Sequence, residues 1–170
     1  MKDHFRMFAA YNGWANDRLY NGAASLGDDV YRRDVGAFFG SMHRTLNHIL
    51  VGDQIWLNRF TGKGNLPKKL DEILHEDFSS LRAAREAEDK RIVAWIEDLN
   101  EEDLSRTISF TPITNPVPVT QHLAPAMSHL FNHQTHHRGQ AHAILSILGE
   151  DPPPLDLVYF LRTEAGSPFL

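Results

Sequence analysis

The sequence predicts an all-α fold, a four-helix bundle formed by residues 1–170 as one domain. Three observations predict it. Long stretches place apolar residues three and four apart, the period of an amphipathic helix. Clusters of Gly, Asp and Pro punctuate those stretches at mostly short intervals. Only one segment, around Phe110, carries β-branched and aromatic residues fenced by prolines. A chain of 170 residues that is 42% hydrophobic can bury a full core, and four helices with short connections close into a bundle.

The first helix is set by Phe5, Phe8, Tyr11, Ala15, Leu19 and Ala23 and spans about residues 3–25. Gly27-Asp28-Asp29 stops it, and Tyr31-Arg32-Arg33-Asp34 reads as a polar connection. Ser41 caps the second helix, with Phe38-Phe39 in its approach. Its buried stripe is Met42, Leu46, Ile49, Leu50, Leu57 and Phe60, with Trp56 adding bulk; Thr61-Gly62-Lys63-Gly64-Asn65 ends it. The third helix follows Leu70, Ile73, Leu74, Phe78 and Leu81, then Ile92, Trp95, Ile96 and Leu99. Its middle, Arg82 to Arg91, carries both signs of charge and reads as a solvated face with pairs four apart. Arg106 to Thr111 has strand character, and Pro112, Pro116 and Pro118 forbid a helix, so a small β-hairpin or ordered loop is expected there. The fourth helix runs over about residues 120–148 to Gly149, before Pro152-Pro153-Pro154. Leu155 to Leu161 packs back on the body.

Composition excludes several function classes. A net charge of -5 with no Lys/Arg stripe does not suit a phosphate backbone, so nucleic acid is not an expected partner. Zero cysteines remove disulfides, thiolate ligands and a thiol nucleophile together. No apolar signal region opens the chain, and no run approaches the roughly 18 apolar residues of a membrane span. The expected setting is the cytoplasm, with no membrane partner.

Ten histidines is a high count, and six of them lie between His122 and His142. On a helical wheel, Leu123, Ala126, Leu130, Ala141, Ile144 and Leu148 fall within one arc of roughly 60°. His137 lies inside that arc and His133 on its border, whereas His122, His129, His136 and His142 read mostly as surface residues. His129 continues the ladder by one turn. Four residues apart, His133 and His137 project from one face and can reach a single metal ion. Gln134-Thr135 follows His133 where a metalloprotease helix carries its general base Glu, so the protease reading falls. A third ligand has to come from another helix, and the second offers His43 and His48. His48 is the better candidate, because it flanks the apolar stripe on the side of Trp56 and Thr45, but periodicity alone does not settle the choice. His4, His43 and His75 otherwise read as exposed.

The segments Leu46-Asn47-His48-Ile49-Leu50-Val51-Gly52-Asp53-Gln54-Ile55-Trp56-Leu57 and His129-Leu130-Phe131-Asn132-His133-Gln134-Thr135-His136-His137-Arg138-Gly139-Gln140 resemble the two signature segments of the DinB/YfiT-like superfamily. Tyr11-Asn12-Gly13-Trp14-Ala15-Asn16 and Pro153-Pro154-Leu155-Asp156-Leu157 resemble its DinB members as well. The resemblance implies a damage-inducible-type four-helix bundle of up-down-down-up topology, often a homodimer. It also implies a three-histidine metal site, with His48, His133 and His137 as the ligands carried over.

Three neutral imidazoles leave a coordination position open, the arrangement of a catalytic site. All-nitrogen ligation suits zinc or nickel, and also iron, cobalt or copper. The resemblance therefore implies a metal-dependent enzyme that activates water or a low-molecular-weight thiol for transfer or isomerisation. The alternatives are a stress-linked metal-binding protein without turnover and a metal-dependent hydrolase. Gln134 and Asp53 are candidates to support the ligands, and Arg44, Arg59 and Arg138 to hold a thiol's carboxylates. Trp14 and Phe38-Phe39 are candidates for either core or dimer contact.

Overall fold

The computed structural model describes residues 1–170. Four long helices build it: α1 (Lys2–Ala23), α3 (Met42–Thr61), α4 (Phe78–Asp98) and α5 (Leu123–Ile147). Short helices α2 (Asp28–Tyr31) and α6 (Leu157–Leu161) and a hairpin of β1 (Thr107–Phe110) and β2 (Val119–His122) complete it. The hairpin is antiparallel, with Thr107 opposite His122 and Phe110 opposite Val119. No helix is long and apolar enough to cross a membrane.

Helix ends follow local chemistry. Ser41 caps α3 by accepting from the Arg44 amide at 3.3 Å, and Gly62 closes it at φ 68°, where a side chain would be strained. Contacts fix the directions. Arg6 near the start of α1 donates to Glu97 near the end of α4 at 2.7 Å, while Asp17 further along α1 meets Arg82 near the start of α4. These two helices are antiparallel. So are α3 and α5, since His48 meets His137 and Trp56 meets His129. In α1 and α5 residue numbers rise together, because Phe5 stacks on Phe131 and Asn12 accepts from Arg138. The result is the up-down-down-up bundle.

Two apolar clusters fill its ends. Phe5, Leu57, Ile92, Ile96 and Leu130 belong to one, and Leu19, Leu46, Leu50, Leu81 and Ile144 to the other. Each fully buried Leu or Ile contributes about 2 kcal/mol. Between them lies a buried polar layer. The Arg85 Nη1 atom sits 2.6 Å from Asp53 Oδ2, and its Nη2 sits 3.0 Å from Asp89 Oδ1. Asn12 and Asn16 donate to Asp89 at 3.1 and 3.0 Å and accept from Arg138. Gln134 bridges α5 to α3, donating to Asp53 and, at 3.1 Å, to the Ile49 carbonyl. Arg85 thus meets two aspartates, and unlike oil-like contacts such directional pairings form in one axial register only.

Four expectations need correction. Residues 70–77 are not the first turns of the third helix: α4 starts at Phe78, where Asp77 caps it by accepting from Ser80 at 2.8 Å. Buried Asn47 holds the preceding segment open, accepting from the Leu74 and His75 amides and donating to the His75 carbonyl. The charged middle of α4 is not all solvated, since Arg85 and Glu88 are buried. The connection after α1 contains α2, whose Tyr31 is buried with its ring edge against His43. His43 itself is buried, 3.2 Å from the His75 carbonyl, rather than exposed. The terminal segment does pack back: Phe160 is buried against Tyr11 and Trp14.

Candidate metal centre

The α5 wheel places the site. His137 is buried and His133 half-buried on the face turned to α3, and His48 is buried on α3 opposite them. The Nε2 atoms of His48 and His137 lie 3.1 Å apart, as do those of His137 and His133. Ligand nitrogens of all three lie within 4.8 Å of one another. Two nitrogens bound tetrahedrally to zinc at about 2.0–2.1 Å stand about 3.3 Å apart, so this spacing suits three ligands around one ion.

The other ring nitrogens show how these rings could receive a cation. His48 Nδ1 lies 2.7 Å from the Leu70 carbonyl, and His137 Nδ1 lies 2.8 Å from Gln140 Oε1. Both oxygens can only accept, so both Nδ1 atoms carry the proton. The two Nε2 atoms therefore present lone pairs to each other at 3.1 Å, a repulsive contact unless a positive charge lies between them. A proton is a poor candidate. Burial lowers the pKa of His48, and burial pushes His137 down to about 4. Burial, and then the neighbouring imidazoles, push His133 down to about 3. The rings are held neutral, the state in which imidazole binds metal.

Several residues shape the site that wheel and spacing did not select. Phe39 stacks on His48 with ring centroids 3.9 Å apart and stands 5.6 Å from His137. Gly52 makes room for His133: a Cβ there would stand 2.9 Å from His133 Cε1 and 3.3 Å from its Nδ1. That Nδ1 is buried without a partner. Gly52 had a readable signal, a glycine inside a helical pattern one turn beyond His48. Gln140 had one too, three residues after His137. The Leu70 carbonyl had none.

The supporting candidates divide. Gln134 and Asp53 are both fully buried beside the histidines and bonded to each other. Arg138 is buried in the polar layer, where it donates to Asn12 and Asn16. Arg44 is exposed on the wall of a cavity shared with Phe39. Arg59 is half-buried over Trp56 and Phe110. His4, His122, His129 and His136 are exposed, and His75 and His142 half-buried.

The arrangement can be set beside known proteins. Protein DinB of Bacillus subtilis (strain 168) is 25% identical over 170 aligned residues, covering 95% of this chain and 95% of its own length. The sequence profile described as DinB family matches residues 1–167. With its up-down-down-up bundle and three-histidine group, the chain belongs to the DinB family.

Proposed function

We propose that His48, His133 and His137 bind one divalent metal ion, zinc or nickel ahead of iron, cobalt or copper, and that this one-domain protein is a metal-dependent enzyme acting on a low-molecular-weight thiol or on water. The convergence of three neutral Nε2 atoms from two helices carries the reading. When bound, such an ion supplies Lewis acidity that lowers the pKa of a thiol or water. The chain's own residues do the rest. The Leu70 carbonyl and Gln140 fix the rings of His48 and His137 and raise their basicity. Phe39 shields His48 from one side. Beside Phe39 opens a cavity of about 680 Å³ lined by Arg32, Asp34, Arg44 and Asp71. Arg44, which forms no ion pair although Asp34 and Asp71 share the cavity, suits the carboxylate of a small thiol, and this open polar cavity favours turnover. The second reading, metal binding without turnover, draws on the Phe39 ring laid over His48.

A homodimer in the cytoplasm, with neither nucleic acid nor membrane as partner, completes the proposal. Exposed Phe38 is available to a second copy. Elemental analysis of tag-free protein is expected to find one ion per chain, and His133→Ala to lose stoichiometric metal. Full metal content in that variant excludes the assignment. A thiol-transfer screen with and without chelator then separates the two readings, because only the enzyme shows chelator-sensitive turnover.

A further inference from the structure

His48, Gly52, Ile55 and Arg59 follow one another at spacings of four, three and four, so they line one face of α3. The segment after α3 runs back along this face, since its Leu70 carbonyl meets His48 while Leu66, Pro67 and Lys68 stand near Arg59. Between that segment, α3 and the tip of β1 lies a cleft of about 770 Å³, within the size range of ligand sites. Ile55, Leu66, Phe110 and Ile113 give it apolar walls. Leu66 and Ile113 are 57% and 39% exposed, so these walls lack a partner of their own. Its charged lining is Arg59 and Lys68, with no acidic residue, in a chain whose net charge is -5.

Arg59 is the informative residue. Its guanidinium carbon lies 4.5 Å from the Trp56 ring centroid and 4.2 Å from that of Phe110. The two rings meet edge to face with centroids 5.3 Å apart, so both lie on one side of the cation and leave the rest of it to the cleft. The half-buried guanidinium donates to no residue of the chain, and no carboxylate pairs with it. A guanidinium half withdrawn from water, held against two rings and left without an acceptor suits a planar or tetrahedral oxyanion.

We infer that this cleft binds a small amphipathic anion, its carboxylate or phosphate on the Arg59 guanidinium and its apolar body against Ile55, Leu66 and Ile113. Gly52, which faces His133, is seven residues from Arg59, about 10 Å along the helix. A ligand body of that length reaches the histidines, which makes the anion a substrate of the same centre; this last step rests on the metal-centre reading, whereas binding in the cleft does not.

The test is calorimetric titration of the full chain with decanoate, decyl phosphate, decanol and inorganic phosphate, with and without chelator. One of the two charged amphiphiles is expected to bind at least about tenfold tighter than decanol, and the tighter of the two names the headgroup. Inorganic phosphate alone is expected to bind weakly, having no apolar body. Arg59→Gln is expected to lose that tenfold preference and Arg33→Gln, on the exposed surface, to keep it. Ile113→Asp, at an exposed loop position that folding tolerates, is expected to lose binding of the charged amphiphiles. Equal affinity for acid and alcohol, undiminished binding in Arg59→Gln, or no saturable binding overturns the inference. Chelated protein and His133→Ala are expected to retain the amphiphile, and Arg59→Gln to retain its metal, so failure of one reading is visible without the other.

Discussion

Gly52→Ala separates the needs of the helix from the needs of the site, because the two change in opposite directions. In the interior of α3 an alanine is favoured over glycine by about 0.8–1 kcal/mol. The new methyl, however, would stand 2.9 Å from His133 Cε1, closer than nonbonded carbons approach, so the imidazole has to move by several tenths of an ångström. In the metal-free protein His133 is half-buried and free at Nδ1, so its ring can yield, and stability is expected to stay within about 1 kcal/mol of the parent. With metal bound the ring cannot yield without lengthening or bending a bond near 2 Å. Displacements of this kind cost about 10–100-fold in affinity, or about 1.4–2.7 kcal/mol. Competition against a chromophoric chelator measures the affinity, and urea unfolding of metal-free protein measures the stability. Unchanged affinity accompanied by a large loss of metal-free stability would refute the reasoning, since Gly52 would then serve packing and His133 would not be a ligand.

The polar layer and the histidine rings make further predictions. Arg85→Leu leaves the Asp53 and Asp89 carboxylates without their cation, and urea unfolding is expected to show a loss of about 3–5 kcal/mol. A loss below about 1 kcal/mol would mean that the pair contributes little beyond its desolvation cost. Acid should weaken the metal-free fold in a defined window. His133 and His137 are depressed to about 3 and about 4 in the folded chain, against about 6.5 when unfolded. Above pH 6.5 both states are neutral and stability is complete; below it the unfolded chain takes up protons that the folded chain refuses, so stability falls as pH falls toward 4. Two such groups give a slope of up to about 2.7 kcal/mol per pH unit. Urea midpoints between pH 8 and 5 check this, and His133→Ala should flatten the profile; an equally steep profile in that variant places the protons elsewhere.

Where sequence and structure part, single polar side chains account for the difference. Leu70, Ile73 and Leu74 carry a helical spacing, yet Asn47 spends its amide on the backbone of residues 74–75 and His48 meets the Leu70 carbonyl. A helix would use those backbone groups internally, and a pattern of apolar residues does not show that they are engaged from outside. Arg85 and Arg138 illustrate the same limit. A pattern counts them as surface because charge is costly to bury, and only the neighbouring Asp53, Asp89, Asn12 and Asn16 offset that cost.

Periodicity within a segment was enough for the long helices, the start of α4 excepted, and for the inward turn of His133 and His137, because those depend on the spacing of neighbours in one element. The segments resembling the DinB family pointed to His48, which wheel arithmetic preferred over His43 without settling the choice. Tertiary structure decided what depends on two elements at once: Nε2 atoms from α3 and α5 3.1 Å apart, the room Gly52 leaves for a ring on another helix, and the buried Arg85–Asp53 pair in mid-bundle. The physical reason is that lone pairs, clashes and buried charges are settled by pairs of groups, and a chain read in order shows one member of each pair at a time.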